Sequence, residues 1–245
     1  MRSPGRGRRI LVVTPTYNER ENLPIFAREV RRTLPDADLL VVDDASPDGT
    51  GVLADELAAA DPHVKVLHRP SKLGLGTAYR EAFARGLAEG YEVFFEMDTD
   101  LSHDPAYLPD FLDALDRGAD VVVGSRNVPG GSVEGWGLGR HLLSKGGSLY
   151  SRAVLGLGVR DLTSGFKCFT RRVLEAIDLG AVHSEGYAFQ VELTYRALRK
   201  GFRVAEVPIV FVDRRVGKSK MSRRVFAEAV VTVPRLRLEA LRGRL

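Results

Sequence analysis

Five short runs rich in β-branched residues recur along the first half of the chain, each followed by a longer stretch of helical periodicity, and few folds accept that alternation. The runs are ILVVT (10–14), DLLVVDD (38–44), VKVLH (64–68), YEVFFEM (91–97) and ADVVVGS (119–125), with helical patterns near 20–34, 50–60, 76–89 and 105–117. Strands that alternate with amphipathic helices make βαβ units, whose parallel strands need crossovers that cover the sheet. The runs are nearly continuous in apolar residues, as strands buried on both faces require. The expected fold class is therefore α/β: one domain with a mostly parallel sheet and helices on both faces.

A chain of 245 residues, 44% of them hydrophobic, can build one such core without metal or disulfide staples. Its lone Cys168 has no partner within the chain and no metal-ligand spacing, so it reads as a small buried apolar residue in a reducing compartment. No apolar run approaches the ~20 residues of a membrane-spanning helix. The N-terminal MRSPGRGRR lacks the apolar stretch of a secretory signal, and residues 1–9 read as a disordered basic tail.

Charge is unevenly spread. Residues 1–9 carry four Arg and no acid, and residues 213–245 carry ten Lys and Arg against Asp213, Glu228 and Glu239, so a net charge of +4 leaves the body between them at −7. Basic ends on an acidic body point to an anionic partner such as lipid headgroups or phosphates, a solvated basic helix being the plain alternative. The acidic body and the want of a basic sheet interleaved with aromatics count against nucleic acid.

The second half is less regular. A Gly-rich loop covers 126–137, then come a helix near 138–155, the segment LTSGFKCF (162–169), a short helix near 171–178, a helix near 188–200 and one strand, RVAEVPIVFV (203–212). The loop DRRVGKSKMS (213–222) precedes a final basic amphipathic helix over 223–245. Residues 10–222 thus form the catalytic candidate domain, and the last helix is the candidate membrane-surface element.

In open α/β sheets ligands bind beyond the carboxyl ends of the strands, and the unusual residues stand there. Asp98 and Asp100 close the fourth run, where residues i and i+2 share a side and two nearby carboxylates call for a hard divalent cation between them and a diphosphate. A turn followed by an N-cap is the purely structural alternative, and Asp104 before Pro105 supplies that cap in any case. Asp43 and Asp44 stand where a nucleotide's ribose and base lie in doubly wound folds; Ser46 or Asp48 can cap the following helix and leave the pair for a ligand. Arg126, Arg140, Lys145, Arg214, Arg215, Lys218 and Lys220 are spread through the second half as candidate phosphate clamps, a solvated charge run being the plain alternative. No G-x-G-x-x-G follows the first strand, no G-x-x-x-x-G-K-[ST] occurs, and no Ser nucleophile elbow is present, so a nicotinamide oxidoreductase and a P-loop NTPase are poorly supported. The five His residues show no ligand spacing and read as solvated or capping groups.

In order along the chain, PTYNE (15–19), VVDDASPDGT (41–50), KLGLGTAYREAF (72–83), MDTDLSHDP (97–105), GSR (124–126), DLTSGFKCF (161–169), EGYAFQVE (185–192) and DRRVGKSKM (213–221) resemble the catalytic domain of dolichyl-phosphate (polyprenyl-phosphate) mannose synthases. These are inverting family-two glycosyltransferases of GT-A fold, a Rossmann-like sheet, and the resemblance runs from about 10 to 235. The first motifs are shared widely among such glycosyltransferases; MDTDLSHDP with EGYAFQVE and FVDRRVGKSKM is more specific to the mannose synthases.

The resemblance implies transfer of mannose from GDP-mannose to a polyprenyl (dolichyl) phosphate, with Asp98, Asp100 and Arg126 as catalytic residues. It implies that Pro15, Tyr17, Glu19, Val42 and Asp44 line the guanosine site, and that Asp98 and Asp100 hold Mg²⁺ or Mn²⁺ on the diphosphate with Thr99 against the sugar nucleotide. Arg126, Arg214 and Lys220 would bind donor phosphates, and Arg140 with Ser144 would receive the lipid phosphate. Thr99 stands where Ala is usual, and Ser102 where some relatives place a metal-binding Gln, which leaves the third protein ligand open. Relatives often append transmembrane helices or recruit membrane subunits, and this chain ends at Leu245 without a spanning helix. The expectation is a cytoplasmic protein, peripheral at the membrane surface, with room for a membrane partner. A sibling transferase using UDP-glucose or another sugar nucleotide, and a non-catalytic nucleotide-sugar-binding protein, are the alternatives.

Overall fold

The structure is a computed structural model that describes residues 7–213, 223–243 and 245, with the side chains of 138, 140–143 and 223–229 left undescribed. The five expected strands form as β1 (Ile10–Thr16), β2 (Asp38–Asp43), β3 (Val64–His68), β4 (Val93–Glu96) and β5 (Val121–Ser125). Between them run α1 (Leu23–Thr33), α2 (Thr50–Ala60), α3 (Leu75–Ala88) and α4 (Leu108–Asp116). Each strand feeds both faces: Ile10 and Val12 pack with α1, α2 and α4 residues such as Phe26, Ala54 and Phe111, while Leu11 and Val13 pack with Tyr79, Phe83 and Phe189 on the other side. That period of two, apolar at every position, is why the runs read as continuous.

Three features of the second half depart from the sequence reading. The Gly-rich loop holds a short strand, β6 (Ser132–Glu134), followed by the expected helix α5 (Leu138–Leu155). LTSGFKCF contributes β7 (Lys167–Thr170), which enters the sheet antiparallel between β4 and β5. The helices α6 (Arg171–Ala176) and α7 (Gly186–Arg199) follow, and the single strand expected over 203–212 is two, β8 (Val204–Pro208) and β9 (Val210–Val212). β8 pairs with β5 in the main sheet and β9 with β6 in a separate two-stranded ribbon. Pro208 ends β8, consistent with the residue type that cannot donate to a continuing ladder.

The main sheet runs β3-β2-β1-β4-β7-β5-β8, parallel except for β7. Strand order reverses around β1, with β2 on one side and β4 on the other, so the crevice for a ligand opens above the carboxyl ends of those strands. Cys168 is fully buried in β7.

The final helix, α8 (Arg223–Leu241), buries Val233, Leu236 and Ala240 against Leu155, Val191 and Tyr195 of α5 and α7. Pro234 lies inside α8 and has no N–H to give the carbonyl of Val230 one turn back. The Tyr150 hydroxyl of α5 donates to that carbonyl at 2.9 Å, so an internal proline becomes a tie between helices. Tyr150→Phe is expected to lower stability by about 1 kcal/mol, read as a shift in the urea midpoint at unchanged slope; an unshifted midpoint would show that water replaces the hydroxyl fully. Of the expected basic tail, residues 1–6 lie outside the described residues, while Arg8 pairs with Asp116 and the Arg9 amide donates to Glu92 at 3.0 Å. No helix among the described residues is long and apolar enough to cross a membrane.

Candidate active site

The sequence motifs at the ends of β1, β2, β4 and β5 meet at one edge of the sheet because the strands that carry them are parallel and adjacent or nearly so. Among the described residues, the non-glycine residues with positive φ are Asn18 (56°), Ala45 (53°) and Leu101 (60°). They stand just past β1, β2 and β4 respectively. A left-handed backbone at an ordinary side chain costs about 1–2 kcal/mol, and such strain gathers at sites whose surroundings over-determine it.

At the nucleotide end, Pro15 and Val42 are register partners of β1 and β2, and Tyr17 lies under the Lys72 ammonium, 4.1 Å from the ring centre. Glu19 is half-buried and accepts from Asn22 Nδ2 at 2.8 Å, while its amide donates to Thr50 Oγ1 at 3.0 Å. Both members of the acidic pair have partners within the fold. Asp43 accepts from Thr16 Oγ1, from Ser46 Oγ and from the Ser46 amide, so it organises the turn after β2. Asp44 accepts from Arg69 Nη1 at 2.7 Å and from the Leu73 amide at 3.3 Å. Burial pushes the Asp44 carboxyl above the usual carboxylate range, and Arg69 with the Leu73 and Gly74 amides offsets this only in part. The N-cap of α2 is Gly49, and Asp48 just before it accepts from the Thr50 amide at 3.0 Å.

Arg69 carries the network onward, donating to Thr77 Oγ1 at 2.5 Å. Glu185 then accepts from the amides of Gly76 (2.7 Å) and Thr77 (3.2 Å) at the start of α3, where helix amides favour an anion. Gly76 permits this approach, since a Cβ there would come within 2.5 Å of the Ser184 carbonyl. The EGYAFQVE segment is thereby locked to the nucleotide side of the cleft by contacts more than a hundred residues apart in sequence.

At the diphosphate position, Thr99 Oγ1 lies 2.7 Å from Thr14 Oγ1 and donates to the Pro15 carbonyl at 3.3 Å. The Thr99 hydroxyl thus ties the β4 end to β1. Asp98 is 43% exposed at its side chain and Asp100 is buried. Ser102 donates both its hydroxyl and its amide to Asp100 Oδ1, so Ser102 orients that carboxylate. Asp104 caps the turn beginning at Pro105, accepting from the Ala106 amide at 2.8 Å, which leaves Asp98 and Asp100 outside the capping role.

His103 overturns the expectation of a solvated or capping histidine. It is 2% exposed, its ring lies 5.3 Å from those of both Phe166 and Phe211, and Nδ1 is buried 3.9 Å from Asp98 Oδ2. Burial lowers its pKa to about 4 against the opposing pull of Asp100. The unfolded chain therefore takes up a proton below about pH 6.5 that the folded chain refuses, and stability falls as pH falls. Between pH 7 and pH 5 this one group should remove about 2 kcal/mol. Urea unfolding at the two pH values checks it, with His103→Gln expected to lose that share of the pH dependence.

Arg126 follows β5 and is also buried. Its Nε and Nη2 form a bidentate pair with Asp161 at 2.7 Å each, its amide donates to the same carboxylate at 3.0 Å, and Nη2 reaches Thr163 Oγ1 at 3.1 Å. Trp136 and Phe211 pack 5.5 Å from the guanidinium. Burial works against its charge, Asp161 more than offsets that, and Arg126 is held above its usual value while Asp161 is held below the carboxylate range. Ser144 is half-buried on α5. The side chain of Arg140 and all of Arg214 and Lys220 lie outside the described residues. Spacing offered no signal for Asp161, Arg69 or His103, whose partners are set by packing.

No group of three or more His, Cys, Asp or Glu able to hold a metal occurs among the described residues. Two carboxylates at a strand end, one of them oriented by a hydroxyl, fit a divalent ion that takes the rest of its oxygen ligands from a bound diphosphate.

The fold is that of a GT-A protein, and the profile of Glycosyl transferase family 2 matches residues 11–178. The chain belongs to that family. Among its relatives it is similar to the polyprenol monophosphomannose synthase of Mycolicibacterium smegmatis, 54% identical over 96% of this chain and 91% of that protein. It is likewise similar to the undecaprenyl-phosphate mannosyltransferase of Micrococcus luteus, 52% identical over 97% of this chain and 99% of that one. In fold it resembles glucosyl-3-phosphoglycerate synthase from Mycobacterium tuberculosis in complex with Mn²⁺, UDP-glucose and phosphoglyceric acid, with a TM-score of 0.64 at 22% identity over 93% of this chain and 80% of that one.

Proposed function

We propose that the protein transfers mannose from GDP-mannose to the phosphate of a polyprenyl monophosphate, with inversion, giving polyprenyl β-D-mannosyl phosphate and GDP. The observation that carries the reading is the pair Asp98 and Asp100 past the end of β4, with Arg126 past the end of β5, in a chain more than half identical over nearly its whole length to two polyprenyl-phosphate mannosyltransferases. Pro15, Tyr17, Glu19, Val42 and Asp44 take the guanosine; Arg126, Arg214 and Lys220 take donor phosphates, and Arg140 with Ser144 the lipid phosphate.

A phosphate monoester oxygen is already anionic near neutral pH, so it can attack the anomeric carbon without a protein base. The work left to the protein is alignment of that oxygen with the departing diphosphate and stabilisation of the charge that develops there. Asp98 and Asp100 hold Mg²⁺ or Mn²⁺, which when bound offsets charge on the leaving diphosphate. Ser102 fixes the Asp100 carboxylate, and Arg126, kept cationic by Asp161, supplies a fixed positive charge to the donor phosphates. The protein works at the cytoplasmic membrane surface, where α5 and α8 offer apolar and basic side chains to the bilayer that holds the isoprenoid tail.

The test is product formation by purified protein with a short polyprenyl phosphate and Mg²⁺, given GDP-mannose or UDP-glucose in parallel, each with an EDTA control. Metal-dependent lipid-linked mannose from GDP-mannose alone is the expected result. Lipid-linked glucose from UDP-glucose would replace the donor, and GDP binding with no product from either donor would favour a non-catalytic role.

A further inference from the structure

Lys145, Ser148, Leu149 and Arg152 follow one another on α5 at i, i+3, i+4 and i+7 and so share a face of that helix. With Arg126 and Arg160 they wall a cavity of about 390 Å³, within the size range of ligand sites. Four of its nine lining residues are Lys or Arg and none is acidic, so an empty cavity would leave like charges facing one another. Asp161 pairs with Arg126, but among the described residues no carboxylate pairs with Lys145, Arg152 or Arg160. Arg152 Nε is moreover buried with no acceptor, and a buried donor on a cation left unmade is among the more costly states of a polar group. An anion in the cavity would supply the missing acceptor and balance the three unpaired charges.

The surroundings indicate what carries the anion. Leu149, in the cavity wall, is 64% exposed. Its neighbour Tyr150 ties α5 to Val230 of α8, and Val230 and Val231 expose 42% and 70% of their surface. Cationic side chains beside apolar ones left in water match an anion attached to hydrocarbon, whereas a free inorganic anion has no use for an apolar rim.

We propose that this cavity takes the phosphodiester headgroup of an anionic bilayer lipid, with Lys145, Arg152 and Arg160 as its cationic partners. The inference rests on the membrane-surface reading above and adds a site to it: Lys145 reads from sequence as a candidate phosphate clamp of no stated ligand, and the resemblance gives none of the three a role toward donor or acceptor. Occupied in this way, the cavity seats α5, which also bears Ser144, against the membrane that contains the acceptor.

Flotation of the full chain with vesicles tests it. Wild-type protein should bind phosphatidylglycerol/phosphatidylcholine vesicles and not pure phosphatidylcholine. The triple variant Lys145→Gln/Arg152→Gln/Arg160→Gln should bind the anionic vesicles at least about tenfold more weakly. A control triple, Arg117→Gln/Arg199→Gln/Lys200→Gln, removes the same charge from exposed positions elsewhere and should lose less than about threefold. Equal losses in the two triples would reduce the effect to net charge and overturn the site. Competition by millimolar inorganic phosphate as strong as that of anionic vesicles would make it a free-anion site and overturn the lipid assignment. A loss confined to phosphatidylcholine vesicles doped with polyprenyl phosphate would assign the cavity to the acceptor instead. Should the triple variant fail to fold, Arg160→Gln alone, at an exposed side chain, should still show a loss of about threefold. Failure of the proposed mannose transfer in the wild type would leave the vesicle result standing, because flotation reads binding without turnover.

Discussion

Asp98→Asn is expected to lower kcat/KM for lipid mannosylation by about 10²–10³-fold, roughly 3–4 kcal/mol of transition-state stabilisation. The change keeps the shape of the side chain and removes the charge that would hold a divalent ion on the leaving diphosphate. Asp98 is 43% exposed, so the variant should fold normally and melt within a few degrees of the wild type. Its affinity for GDP in EDTA should be unchanged, while the gain in affinity on adding Mg²⁺ or Mn²⁺ should disappear. Titration of GDP by calorimetry with and without metal therefore checks the role apart from turnover. Near-normal turnover in Asp98→Asn would sink the assignment of this carboxylate to the metal.

The second large effect lies at Arg126 and Asp161. Asp161→Ala leaves the guanidinium buried without its anion and should lower stability by about 3–5 kcal/mol. Replacing both members with apolar residues, as in Arg126→Met/Asp161→Leu, should recover much of that loss, because a buried ion pair is often no more stable than the hydrophobic residues that would fill its volume. Turnover should not recover with stability, since the double variant has lost a cation assigned to the donor phosphates. Denaturant melts set beside lipid-mannose synthesis separate the two effects. A double variant that is both stable and active would make the pair purely structural.

The two predictions differ in how far a reader of the sequence could have anticipated them. Asp98 and Asp100 are legible because they close an apolar run inside a βαβ series, and every parallel strand of such a sheet presents its carboxyl end to the same crevice. Asp161 is not legible, since it lies 35 residues beyond Arg126 and no periodicity links a loop acid to a buried guanidinium. His103 misled for a related reason. A histidine two residues before a Pro in a polar turn reads as solvent-facing, and only Phe166 and Phe211, arriving from β7's approach and from β9, bury it. The Asp43 and Asp44 pair stands at the end of β2 as its run implied, but the partners that orient it, the Ser46 turn and Arg69, come from the fold.

What the sequence by itself determined is the set of elements and the edge at which they present chemistry. Local periodicity, apolar continuity and the residues that follow each strand are properties of neighbours along the chain, and they define the parallel strands β1 to β5 and the acidic strand ends. What only the tertiary structure decided is which residues meet across that edge. β7 runs antiparallel between β4 and β5, Lys167 faces Glu96 inside the sheet, and Glu185 caps a helix that begins 110 residues earlier. These pairings depend on long-range packing, where burial turns an ordinary side chain into a neutral histidine or a fixed cation, and burial is a property of the folded chain rather than of any segment of it.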